Sequence, residues 1–81
     1  MTELQARDAI KEVLHRIAPE ADLDQVPPDA DLRQELDIDS MDILNFAIGL
    51  EELTGVTIPE SDYRQVATLR GCTAYLVQRA A

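Results

Sequence analysis

The stretch Asp37-Ile38-Asp39-Ser40-Met41-Asp42-Ile43-Leu44-Asn45-Phe46-Ala47-Ile48-Gly49-Leu50-Glu51-Glu52-Leu53-Thr54-Gly55 decides how this chain folds. A polar, Asp-rich approach gives way at Ser40 to a long helical run, and Gly55 supplies the residue that most easily adopts the left-handed conformation in which helices stop. The spacing predicts a helix from Ser40 to about Thr54. Asp39 is its N-cap and Asp42, three residues on, completes the cap, which leaves Ser40 at the first helical position with its side chain pointing outward. At about 100° per residue the apolar side chains fall into two stripes rather than one. Ile43, Phe46, Ala47, Leu50 and Leu53 make one side; Met41, Leu44 and Ile48 lie roughly opposite. A helix in a four-helix domain of this size is not buried all round, so the second stripe should be at least partly exposed, and exposed apolar patches mark partner sites. Asn45 and Glu52 fall near that stripe, with Asp42 and Glu51 at its edges. The alternative is that Met41, Leu44 and Ile48 pack under the loop before the helix.

Outward from this helix the chain reads as helices and connections, with no strand-like alternation. Leu4, Ile10, Val13, Leu14 and Ile17 recur at helical spacing between a Thr2/Gln5 capping box and Pro19, which predicts a helix over residues 3 to 18. From Pro19 to Asp39 no helical period is sustained, yet Leu23, Val26, Leu32, Leu36 and Ile38 are scattered through a stretch containing Pro27 and Pro28. This is a long connection pinned to the core, and its length leaves room for a short helical turn. Pro59 opens a short turn or helix through Gln65, and a last helix follows its N-cap Thr68. The fold class is all-α, a four-helix bundle with a long first loop and a short third helix.

Composition narrows the function. The 81 residues suit one domain, 1–81, with a small core, and 46% hydrophobic content suffices to fold it. The 16 acidic residues against 7 basic ones give a net charge of -9, which repels nucleic acid and anionic lipid and attracts proteins with basic patches. One Cys forms no internal disulfide, and no apolar stretch resembles a signal sequence or a membrane span, so a cytoplasmic monomer is expected. Cys72 shares a helical stripe with Leu69 and Leu76 and reads as core; Tyr63 and Tyr75 read as packing residues. The Asp clusters lack the Gly and Glu spacing of a calcium loop.

Ser40 is therefore a poor catalyst. A nucleophilic serine needs a base and a group to orient that base. The chain offers only His15, on the polar side of the first helix. The passive reading is stronger: Ser40 is modified by another protein. A phosphate diester suits a helix N-terminus, although Asp37, Asp39 and Asp42 oppose it, so the phosphate should be solvated rather than gripped.

Asp31-Leu32, Glu35-Leu36, Asp39-Ser40-Met41-Asp42, Leu50-Glu51-Glu52, Val56-Thr57-Ile58-Pro59 and Thr68-Leu69 together make the chain resemble the acyl carrier protein family over nearly its whole length. The resemblance implies a four-helix bundle with a 4'-phosphopantetheine, taken from coenzyme A by a phosphopantetheinyl transferase and joined through a phosphodiester to Ser40, with Asp39 beside it. The arm's thiol would hold acyl groups as thioesters, and the chain itself would catalyse nothing. Partners would be acyl-loading, condensing or acyl-transferring enzymes with basic patches. Met41, Leu44 and Ile48 would give them apolar contact, with Asn45 beside that stripe, while Asp39, Asp42, Glu51 and Glu52 would steer encounter. The chain departs from the family in three places. Asp37 stands where a Gly is usual, Met41 where Leu is usual, and Asn45 where many fatty-acid carriers have an acidic residue. These differences point to a dedicated carrier for a specialised pathway. Beside the acyl carrier stand an aminoacyl or peptidyl carrier of the same fold and, more distantly, an acidic helical adaptor without a cofactor.

Overall fold

The computed structural model describes residues 1–80. In chain order the α-helices are α1 (Glu3–Ile17), α2 (Leu32–Leu36), α3 (Ser40–Thr54) and α4 (Leu69–Arg79). A single 3-10 turn, Leu23–Gln25, precedes α2, and a longer 3-10 helix, Glu60–Val66, lies between α3 and α4. The described residues are all-α in architecture, and Glu60–Val66 is the short third member of the bundle formed with α1, α3 and α4.

Helix boundaries follow from local chemistry. Thr2 Oγ1 accepts from the Gln5 N–H at 3.1 Å while Gln5 Oε1 accepts from the Thr2 N–H at 2.9 Å, so two donors left over at the start of α1 are satisfied reciprocally. At the other end Ala18 still donates to the Leu14 carbonyl, and Pro19 prevents another turn. The face that α1 buries is Ala6, Ala9, Ile10, Val13 and Leu14. Leu4, read from its spacing as part of that face, is instead exposed: six residues before Ile10, it lies about 120° around the helix from it, while Ala6 of the same turn is fully buried.

Helices α1 and α3 meet closely at Gly49. A Cβ built there would stand 2.7 Å from Val13 Cγ1, so the contact depends on the missing side chain. Phe46, about one turn before Gly49, and its immediate neighbour Leu50 are fully buried. Leu53 has the right phase for that face but is exposed: it falls in the last turn, beyond the packed layer, on an open groove whose walls include Met1, Gln5 and Ala9 of the α1 end. Gly55 at φ 77° ends α3 and donates its N–H to the Glu51 carbonyl at 2.8 Å.

The long connection is tied down more firmly than its composition suggests. Leu32 donates its N–H to the Ala67 carbonyl at 2.8 Å and Arg70 donates to the Pro28 carbonyl at 2.9 Å, around an isolated antiparallel bridge between Asp31 and Thr68. The Arg70 guanidinium grips Asp29 with both nitrogens, at 2.7 and 3.3 Å. Leu23, Val26 and Leu32 are driven into the core from this segment. On the far side, Tyr75 donates its hydroxyl to Asp62 at 2.8 Å, and Arg79 lies 4.5 Å over the Tyr75 ring, which fastens the 3-10 helix to α4. Burial, the Asp62 hydrogen bond and the Asp62 charge push the Tyr75 hydroxyl up in pKa, against the opposing charge of Arg79. Cys72 is in the core beside Leu69 and Leu76, and desolvation pushes its thiol up to about 12. Among the described residues no helix is long and apolar enough to cross a membrane.

Candidate functional site

The approach to Ser40 is shaped by a short helix that ends abruptly. Asp31 caps α2 by accepting from the Arg33 N–H at 2.9 Å, and after the five helical residues the chain reverses at Asp37, the one non-glycine residue with positive φ (52°) among those described. Asp tolerates this left-handed conformation better than most side chains, since its short polar group can bond locally, but glycine would adopt it without steric cost. The Ile38 N–H then reaches back to the Arg33 carbonyl at 3.1 Å, closing the turn.

Two residues on, Asp39 and Asp42 form a reciprocal cap. Asp39 Oδ1 accepts from the Asp42 N–H at 3.0 Å and Asp42 Oδ2 accepts from the Asp39 N–H at 3.2 Å. Both carboxylates are thus committed to the backbone while keeping their charge. The cap fixes Ser40 as the first residue of α3, exposed, with no side-chain hydrogen bond among the described residues. Ser40 opens onto a cavity of about 440 Å³ shared with Ile43 and Leu44 of α3, Arg33 of α2, and Glu60, Tyr63, Arg64 and Ala67 around the 3-10 helix. His15 lines a different and larger groove, against α1 and Leu53. No histidine lines the Ser40 cavity, and Glu60 is the one carboxylate among its walls.

From Ser40 a mixed apolar and acidic strip runs along the solvent side of α3. Met41 is 63% exposed, Leu44 38% and Ile48 44%, so the second stripe is left open rather than packed under the loop. Asn45 and Glu52 are exposed on the same side. Glu51 is exposed as well, and its carboxylate accepts from the Thr57 hydroxyl at 3.1 Å, which anchors it at the far end. At 1.5 Å per residue, Glu51 and Glu52 lie roughly 17 Å along the helix from Ser40, outside the cavity. Sequence gives Arg33 and Arg64 no role and reads Tyr63 only as a packing residue, because nothing local in the chain links them to Ser40.

A family model described as a phosphopantetheine attachment site matches residues 5–76. The chain belongs to the acyl carrier protein family. Among the similar proteins, an "Acyl carrier protein 2" of Ralstonia nicotianae is 35% identical over 69 residues, covering 85% of this chain and 84% of that one. An acyl carrier protein of Rubrobacter xylanophilus is 32% identical over 57 residues, 70% of each chain. A "Polyketide-8 synthase acyl carrier protein 2" of Streptomyces avermitilis is 29% identical over 75 residues, 93% of this chain and 80% of the other. The cofactor of this acyl carrier protein is 4'-phosphopantetheine, covalently attached and derived from coenzyme A. The residues around α3 fit such a group: an unengaged, exposed hydroxyl beside a cavity with a largely apolar floor and cationic rim. Carrier proteins of this family interact with phosphopantetheinyl transferases and acyl-processing enzymes.

Proposed function

We propose that Ser40 carries the phosphopantetheine arm and that the chain holds acyl intermediates on it as thioesters, catalysing nothing itself. The supporting observation is the setting of the hydroxyl. The chain has two serines, Ser40 and Ser61. Only Ser40 is the capped first residue of a long helix, at the mouth of a cavity and at the head of an exposed apolar strip. In the attachment step the Ser40 Oγ–P bond forms as the pyrophosphate bond of coenzyme A breaks, adenosine 3',5'-bisphosphate leaves, and the hydroxyl proton passes to a base on the transferase. When bound, the arm supplies a thiol that Cys72, buried and held protonated, does not provide.

The strip of Met41, Leu44 and Ile48, with Asn45 beside it, is the surface that visiting enzymes contact. Asp39, Asp42, Glu51 and Glu52 set their approach, with charge acting on encounter rate and orientation more than on affinity. An acyl cargo of fatty-acid, polyketide or specialised type is favoured over an aminoacyl one by the names of the similar proteins, which are acyl carriers, one of them of a polyketide synthase. Intact mass spectrometry of protein purified from its native cell, before and after thioester cleavage, tests this. A cleavable acyl mass supports the proposal; a cleavable amino-acid mass replaces it with the aminoacyl carrier.

A further inference from the structure

We infer that Arg33 and Arg64 form a cradle for the phosphodiester of the arm, an inference that rests on the attachment of that arm to Ser40. The chain holds 7 basic residues against 16 acidic ones, so an unselected patch of its surface is expected to be acidic. The cavity at Ser40 is the reverse. Two arginines line it against the single acidic residue Glu60, and they come from separate elements, α2 and the 3-10 helix, that the fold brings to the same cavity as the serine.

Neither guanidinium is used up elsewhere. Arg70 grips Asp29 at 2.7 Å, Arg7 lies 3.4 Å from Asp24, and Arg79 combines Asp62 at 3.7 Å with the face of Tyr75. By contrast Arg33 Nε stands 3.9 Å from Asp31 Oδ1, an oxygen that already accepts from the Arg33 backbone, and Arg64 has no ion pair among the described residues. Asp39 and Asp42, the acidic groups nearest in sequence, each direct one oxygen to the other's backbone N–H. A phosphodiester on Ser40 Oγ is tethered at the mouth of this cavity, where its effective concentration is high and even weak cationic contacts are populated. Guanidinium matches phosphate oxygens in pairs, which an ammonium does not. Three aspartates around Ser40 suggest a phosphate left to solvent; the cradle would instead anchor the base of the arm while leaving its thiol end free.

The test follows the arginine side chains and the phosphorus in unloaded protein by NMR, before and after modification with coenzyme A and a broad-specificity transferase. The Nε–H resonances of Arg33 and Arg64 should shift on modification while those of Arg7 and Arg16 stay in place. The 31P resonance of the modified protein should move in Arg33→Gln/Arg64→Gln, and high salt should produce the same displacement in the wild type. Both arginines are exposed, so melting of the unmodified double variant should match the wild type, which separates a lost contact from a lost fold. Complete modification with silent Arg33 and Arg64 resonances overturns the cradle. So does a shift that arises only after loading with a carboxylate-bearing acyl group, which would assign the pair to cargo. Absence of any mass gain on the wild type overturns the attachment reading instead, and the same sample reports it.

Discussion

Replacing Ile48 with Asp places a charge in the middle of the exposed strip of α3, and the structure sets how much of the effect belongs to folding. Full burial of an isoleucine contributes about 1.5–3 kcal/mol. Ile48 is 44% exposed, so slightly more than half of that burial is present to lose. Adding a few tenths for the poorer helix propensity of Asp gives a destabilisation of about 1–2 kcal/mol, or roughly 5–15 °C in Tm for a domain of this size. The protein should stay folded, because such domains have a total stability of about 4–12 kcal/mol. Phe46→Ala, two residues away on the core side of the same helix, should cost about 3–5 kcal/mol and serves as the contrast. The assay is kcat/KM for loading by a transferase, with circular dichroism to monitor the fold. Removing an apolar anchor from a contact surface should lower kcat/KM by about 5–30-fold, equivalent to about 1–2 kcal/mol. The sign is informative, since an added negative charge would speed encounter with a basic partner if long-range attraction alone governed recognition. A folded variant with an unchanged or faster rate refutes the contact role of the strip, and a collapsed variant shows that Ile48 is core.

Other consequences follow from particular atoms. Asp37→Gly should raise stability by up to about 1 kcal/mol in urea unfolding by relieving the left-handed backbone, while Asp37→Val should lower it by about 1 kcal/mol or more; equal behaviour of the two would show that the turn is not strained. Gly71→Ala should destabilise by about 1–3 kcal/mol despite the better helix propensity of Ala, because the added Cβ would stand 2.5 Å from the Gln65 carbonyl oxygen at the start of α4; unchanged melting would show that the junction yields freely. Cys72 keeps its proton to about 12 when folded and releases it near 9.0 when unfolded, so its contribution is intact below pH 9 and is lost as pH rises from about 9 to 12, at about 1.4 kcal/mol per pH unit. Cys72→Ala should flatten that part of the stability profile, and an identical slope in the variant would assign it to other groups, Tyr75 among them.

How far the chain could be read without coordinates depends on where the information lies. Helix α3 is legible because Asp39 and Asp42 punctuate its start and Gly55 its end, and the start of α1 because Thr2 and Gln5 mark it, its end falling one residue earlier than the spacing suggests. The five residues of α2 offer barely one turn, too few for a period to show, so this stretch read as connection until Asp31 and the Ala67 carbonyl were seen to hold it. Leu53 carries the correct phase but sits in a terminal turn beyond the core, a distinction that periodicity does not encode, whereas Leu4 is off the buried face by about 120° from Ile10. The exposed stripe of Met41, Leu44 and Ile48 could be inferred, since two apolar faces on one helix of a small bundle leave one over. The convergence of Arg33, Tyr63 and Arg64 on Ser40 could not, because it is made by the docking of α2 and the 3-10 helix around α3.

The most direct measurement is intact mass after incubation with coenzyme A and a broad-specificity transferase, applied to the wild type, Ser40→Ala and Ser61→Ala. The wild type and Ser61→Ala should each gain one phosphopantetheine mass and Ser40→Ala none. An unmodified wild type, or a Ser40→Ala protein that still takes up the group, would contradict the assignment of the arm to Ser40.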